Sequence, residues 1–147
     1  MALDVISEVT VDAPRFEVAE YAASPDNAAA WRARITGVQW ISAPRLRAGS
    51  RMAFTVRVMG RRLCSICEVT EYRPGARLVT RRVGGPFRLH TVYTWEPLPD
   101  GRTRMTLRNR GRLRGIWRLA SLLVAFVIRR EQHKDLARLK RQVERLV

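Results

Sequence analysis

Residues 86–111, PFRLHTVYTWEPLPDGRTRMTLRNRG, decide the fold. Phe87, Leu89, Thr91, Tyr93 and Trp95 alternate with Arg88, His90, Val92, Thr94 and Glu96, the period of two of a strand with one covered face. The turn at Pro99-Asp100-Gly101 reverses the chain. Met105 and Leu107 then continue the apolar face, while Arg104, Thr106, Arg108 and Arg110 point the other way. A two-stranded ribbon with so broad an aromatic face needs further strands beside it and a cover on top.

Both are found by working outward. Upstream, segments at 38–42, 51–58, 62–72 and 77–83 read as strands, separated by APRLRAGS, MGRR, RPGAR and VGGP, each with Gly or Pro at the turn. Connections that short join antiparallel neighbours. In the second of these strands Met52, Phe54 and Val56 oppose Arg51, Thr55 and Arg57. In the third, Leu63, Ser65, Cys67 and Val69 share one side and Cys64, Ile66, Glu68 and Thr70 the other, and either could face inward. At the N-terminus LDVISEVTV alternates as a first strand. Two short helices follow it, with Pro14 and Pro25 in their first turns and Ser24 as a cap.

After Gly111 the period changes to 3.6 and no proline interrupts it, so one long helix is expected from near Arg114 to the C-terminus. Its second half is amphipathic, with Leu136, Leu139, Val143 and Leu146 against a charged face. Its first half, WRLASLLVAFVIRR, is apolar nearly all round. Here the spacing of Leu119, Leu123 and Phe126 predicts a stripe facing the concave sheet, leaving Leu122, Val124 and Val127 for other surroundings. The fold class expected is therefore α+β: a seven-stranded antiparallel sheet curled around a long C-terminal helix, with two short helices after strand 1, in a single domain over residues 1–147.

Composition bounds the function. At 46% hydrophobic residues the chain can bury a core. The apolar run 119–128 is too short to cross a bilayer, which takes roughly 20 residues, and the N-terminus lacks the basic-then-apolar pattern of a leader. The chain reads as cytoplasmic. The formal net charge is +15, and it is concentrated: residues 101–147 hold 14 Lys and Arg against 3 Asp and Glu. Such a region can meet anionic lipid, so peripheral membrane contact is one expectation, and a homodimer another. Nucleic acid is not expected, because no strand interleaves aromatics with arginines as a stacking platform does. Cys64 and Cys67 have C-x-x-C spacing but sit on a strand, pointing to opposite faces, with no further ligands at zinc spacing. No metal site or cofactor is read.

Four stretches in order, VTVDAPRFEVAEYAASPDNAAAW, CEVTEYRPGARLVTRRV, YTWEPLPDGRTRMTL and DLARLKRQVERL, resemble the polyketide cyclase/dehydrase branch of the START-like (SRPBCC, Bet v 1-like) superfamily. The resemblance covers almost the whole chain. It implies the helix-grip fold with a deep hydrophobic cavity between sheet and helix. By the same resemblance Asn27 and Trp31 fall near the cavity mouth, and Tyr93 and Trp95 line it, Trp95 being larger than the usual Phe.

Two functions follow. The first is binding of a hydrophobic small molecule, lipid, quinone or polyketide-like, against Trp31, Met52, Phe54, Phe87, Leu89, Tyr93, Trp95, Met105, Leu119, Leu123 and Phe126. The second is a polyketide cyclase or dehydrase that needs an acid or base within reach of that cavity. Tyr93 and His133 are its candidates, since His90, Arg57 and Arg108 fall on the outward face. Arg130 would serve only if turned inward. No Ser/His/Asp set, carboxylate pair or phosphate-binding glycine loop is present.

Overall fold

The computed structural model describes residues 2–83, 87–113 and 115–146, the side chains of Phe87 and Arg88 excepted. Seven strands form one antiparallel sheet: β1 (Ala2–Val11), β2 (Ile35–Trp40), β3 (Arg51–Val58), β4 (Arg61–Arg73), β5 (Arg77–Val83), β6 (Phe87–Pro97) and β7 (Thr103–Leu113). Their spatial order is β1-β7-β6-β5-β4-β3-β2, so every neighbour is a hairpin partner except β1, which pairs with the last strand. Two short helices, α1 (Arg15–Ala23) and α2 (Ala28–Trp31), link the two edge strands, and α3 (Ser121–Leu146) follows the last. The sheet grips α3, which lies on β1 and also touches α1 and α2, while α2 packs on β2.

The sheet follows from the period-two pattern. In β6 and β7 Tyr93 stands opposite Leu107 and Trp95 opposite Met105, joining the inward side chains of the two strands as cross-strand pairs. β4 resolves the two-sided reading: Ser65, Cys67 and Val69 face the interior, and Cys64 is exposed. A bulge against β5 between Val69 and Glu71 then shifts the parity, so that Tyr72 packs on the core that already holds Val69. β2 begins at Ile35, three residues before its expected start, because a second bulge between Ile35 and Gly37 interrupts the alternation there. β7 runs on through Gly111, which pairs with both Leu3 and Leu89. The last three residues of the sheet are thus a continuation that a glycine concealed.

The long helix departs from its expected start and phase. Arg114 lies outside the described residues; residues 115–118 form a 3-10 turn, and α3 begins at Ser121. Leu119 precedes the helix and is 91% exposed, while Leu123 and Phe126 are 64% and 61% exposed, so none of the three is a cavity wall. The stripe that meets the sheet is Val124, Ala125 and Ile128, packed on Leu3, Val5, Leu113 and Leu89, followed by Gln132, Asp135, Leu136, Leu139 and Val143. The reason is rotational. Leu123 and Leu136 are thirteen residues apart, which at about 100° per residue puts them about 140° apart around the axis. Leu136 and Leu139, buried to 1% and 0%, fix which side is inward. Leu146 ends the stripe in solvent.

Candidate functional site

Between α3, the two short helices and the concave sheet lies a cavity of about 210 Å³. β3 contributes Met52, Phe54 and Val56, β4 Val69, β5 Leu78, β6 Leu89 and Tyr93, α2 Trp31, and α3 Ile128. Of the residues expected to contact a ligand, the structure thus brings Trp31, Met52, Phe54, Leu89 and Tyr93 to one cavity. Trp95 and Met105 are buried at 2% and 0% exposure but belong to the core beneath it. Trp95 stacks on Tyr93, centroids 6.2 Å apart, and supports the phenol from behind. The Phe87 side chain lies outside the described residues, and Leu119, Leu123 and Phe126 face solvent.

The polar side of the cavity centres on a group that the residue pattern did not single out. Arg32, immediately after α2, donates from Nη1 to Tyr93 Oη at 2.8 Å and pairs through Nε with Asp135 Oδ2 at 3.4 Å. Asp135 Oδ1 also accepts from the Ala33 backbone N–H at 3.1 Å. Trp31 meets Tyr93 edge to face at 6.4 Å, and the Arg32 guanidinium lies 5.2 Å from the Trp31 ring centre. α2 is a single turn, Ala-Ala-Ala-Trp, with Ala28 and Trp31 buried and Ala29 and Ala30 exposed, so Trp31 anchors it. Arg32 therefore leaves the helix pointed at the β6 phenol.

Burial raises the Tyr93 pKa above that of a free phenol, against the pull of the Arg32 charge, so the group is a neutral phenol. Its oxygen accepts from Arg32, which leaves its own proton free to donate into the cavity. Burial likewise raises the Asp135 carboxyl, opposed by the Ala33 N–H and by Arg32. Arg32 remains a cation: burial works against its charge, and Tyr93 and Asp135 outweigh that cost. Arg82 also lines the cavity, its pKa lowered by burial, and Cys67 beside it is raised by burial and held as a thiol hydrogen-bonded to Thr80. Arg34 and Glu131, which also line the cavity, pair with each other, so Arg32 and Arg82 against Asp135 leave one positive charge in excess, which favours an electron-rich or anionic oxygen in this space. Several of the other polar groups pair with one another: Ser7 Oγ donates to Gln132 Oε1 at 2.7 Å, Gln132 Nε2 to the Val5 carbonyl at 3.1 Å, and Thr91 to Asn109 at 2.7 Å. The indole N–H groups of Trp31 and Trp95 are both buried without an acceptor among the described residues.

The other candidates lie elsewhere. His133 is exposed on the outer side of α3, two residues before Asp135. It cannot reach the cavity, so the helix carboxylate and not the helix histidine is the titratable group there. His90 is exposed on the convex face, where Arg108 pairs with Asp4. Arg57 and Arg130 are exposed, and Asn27 donates to the Tyr21 carbonyl at 3.2 Å, bracing the segment between α1 and α2. Among the described residues no group of three or more His, Cys, Asp or Glu is placed to hold a metal, and no helix is long and apolar enough to cross a membrane. The missed pair had one legible trace: Gln132 and Asp135 interrupt, at helical spacing, the stripe that Ile128, Leu136, Leu139 and Val143 define.

A seven-stranded antiparallel sheet closed on a C-terminal helix, with two short helices at its open side and a cavity inside, is the helix-grip architecture of the START/Bet v 1 superfamily. Within it, the chain belongs to the polyketide cyclase / dehydrase and lipid transport family, matched over residues 2–144. Among solved structures it is similar to the Zhui aromatase/cyclase from Streptomyces sp. R1128, with a TM-score of 0.83 at 18% identity over 99% of this chain and 95% of that one. A START superfamily protein from Mycobacterium smegmatis gives 0.79 at 17% over 98% and 99%. The Thermus thermophilus protein TTHA0849 gives 0.81 at 19% over 97% and 98%. At these identities the likeness is one of fold. No curated protein matches the chain.

Proposed function

We propose that the cavity binds a small hydrophobic molecule carrying a carbonyl, enol or acidic oxygen, with that oxygen held by Tyr93 and the Arg32 cation behind it. The observation that carries this reading is the Arg32–Tyr93 hydrogen bond of 2.8 Å inside a cavity whose apolar wall includes Met52, Phe54, Leu89 and Trp31. A fully apolar ligand would leave the phenol proton unpaired, at a cost of about 1–3 kcal/mol. A benzene-sized molecule fills a cavity of about 150 Å³; one of about 210 Å³ takes a somewhat larger compound. Native mass spectrometry of protein purified from its own host is expected to show a bound apolar species bearing oxygen. Tyr93→Phe should weaken its binding about fivefold to thirtyfold, the worth of one hydrogen bond in a dry site. An interior that returns no ligand, or a ligand indifferent to Tyr93→Phe, would sink this reading.

The raised Asp135 carboxyl favours a second reading, a cyclase or dehydrase. Asp135 as a carboxylate removes the proton between two ketones of a bound poly-keto chain. The enolate carbon attacks a second carbonyl, and Tyr93 donates its proton to the alkoxide that forms, Arg32 stabilising the phenolate left behind. In the dehydration the Tyr93 phenolate takes the remaining α-proton while Asp135 returns its proton to the departing hydroxyl, so a C=C bond and water form and both groups regain their starting states. Turnover of a supplied poly-keto substrate should then fall at least about hundredfold in Asp135→Asn and in Tyr93→Phe, the usual worth of one acid or base. Turnover unchanged in both variants removes the cyclase reading and leaves the carrier.

A further inference from the structure

The sheet topology places the C-terminal ends of β3, β5 and β7 and the N-terminal ends of β4 and β6 at one end of the grip. That end carries apolar side chains that are largely exposed. On the segment from 116 to 126 they are Ile116, Leu119, Leu122, Leu123 and Phe126, Leu122 being 84% exposed. On the β3–β4 hairpin, which overhangs β5 because pairing to β5 begins only at Ile66, they are Met59 and Leu63, Met59 being 95% exposed. Met59 also sits at the hairpin tip with a φ of 50°, a left-handed conformation that presents its side chain at the turn itself.

The charge around these side chains has one sign. Residues 102–130 hold nine arginines and no acid, and residues 51–67 hold four arginines and no acid. Arg61, Arg62, Arg118, Arg129 and Arg130 are exposed and make no ion pair with a described residue. Large apolar side chains flanked by unpaired arginines match the two layers of an anionic bilayer surface, acyl chains below and phosphates above. A second copy of the chain fits poorly, because a two-fold contact would set these arginines against one another.

We infer that this end of the grip, the 116–126 segment with the β3–β4 hairpin, docks on anionic lipid surfaces. Arg82, Val56 and Ile128 line the cavity from the same strands and helix, so docking sets the cavity end-on to the bilayer. The contact is peripheral: the apolar segment is far shorter than a span.

Full-length protein is mixed with phosphatidylcholine vesicles with and without roughly 30% phosphatidylglycerol, the anionic content that sets the surface potential. It should sediment with the anionic vesicles and at least about tenfold less with the neutral ones, and rising salt should release it. Leu119→Gln/Leu122→Gln/Phe126→Gln and Arg61→Glu/Arg62→Glu should each reduce partitioning about tenfold or more with an unchanged circular dichroism spectrum, because all five positions are exposed. Tyr93→Phe, a cavity change, should bind vesicles as the parent does, separating docking from ligand binding. Equal sedimentation with both vesicles, or parental binding by both surface variants, overturns the inference. So does a dimer in analytical ultracentrifugation that the glutamine variant dissociates, which would assign the face to a second copy.

Discussion

At the scale of single residues, the site turns on where one proton sits. Burial raises the Asp135 pKa above the ordinary 3.8 of an aspartate. The folded chain therefore holds this proton to a higher pH than the unfolded chain does, and the linkage has a definite sign. The contribution of Asp135 to stability is fully present below its unfolded pKa and is lost as pH rises through the folded one. Asp135→Asn removes the titration while keeping an acceptor for the Ala33 N–H. Urea midpoints measured from about pH 3.5 to pH 7 should thus show the parent losing stability relative to Asp135→Asn as the pH rises, in the window just above the unfolded pKa. A difference between the two that stays constant over that range would mean that Arg32 fully compensates the buried charge. Asp135 shows in the sequence only as a break in an apolar stripe, and Arg32 does not show at all. Arg32 follows a one-turn helix, and no periodicity says that it turns in toward Tyr93 and not out to water.

At the scale of elements, strands and helix were legible to different degrees, and the difference is physical. A strand has two faces, and one polar residue in every two names the outer one; β3 and β5 occupy the residues 51–58 and 77–83 that alternation predicts. A helix presents a continuous surface, and a segment apolar on all sides, like 119–128, carries no phase of its own. The phase is carried instead by the C-terminal half, where Leu136, Leu139 and Val143 recur at spacings of three and four. Extended backward through Gln132 and Ile128, that register gives the stripe the structure shows. The energetic consequence is measurable by chemical denaturation. Leu139→Ala, at a site with no exposure, should cost about 2–5 kcal/mol. Leu123→Ala, 64% exposed, should stay within about 0.5 kcal/mol of the parent. Comparable losses at the two positions would mean that the N-terminal turns of α3 are packed in solution. Gly75, at φ 76° in the β4–β5 turn, should resist change as well, since a Cβ there meets the Phe16 ring at 2.4 Å. The ring can move aside, so the left-handed backbone sets the cost of Gly75→Ala, about 1–2 kcal/mol in the same assay.

At the scale of the whole molecule, a net charge of +15 on 147 residues sets two electrostatic effects against each other. Exposed pairs such as Arg108–Asp4, Arg102–Asp100 and Arg81–Glu68 attract, but each contributes only about 0–1 kcal/mol and salt weakens them. Against them stands the mutual repulsion of 28 cations facing 13 acids, which the folded state concentrates and the unfolded chain relieves. Repulsion acts over the longer range, so it has more to lose as the screening length falls from about 30 Å at 0.01 M salt to about 8 Å at 0.15 M. The excess of cations makes it the larger effect. The thermal midpoint should therefore rise with sodium chloride over that interval, in a scan at constant pH. The rise should shrink in Arg61→Glu/Arg62→Glu, which lowers the net charge by four without touching a described ion pair. A midpoint that falls with salt would show that the paired arginines dominate. The basic surface would then be a network holding the fold together, and not a field left open toward an anionic partner.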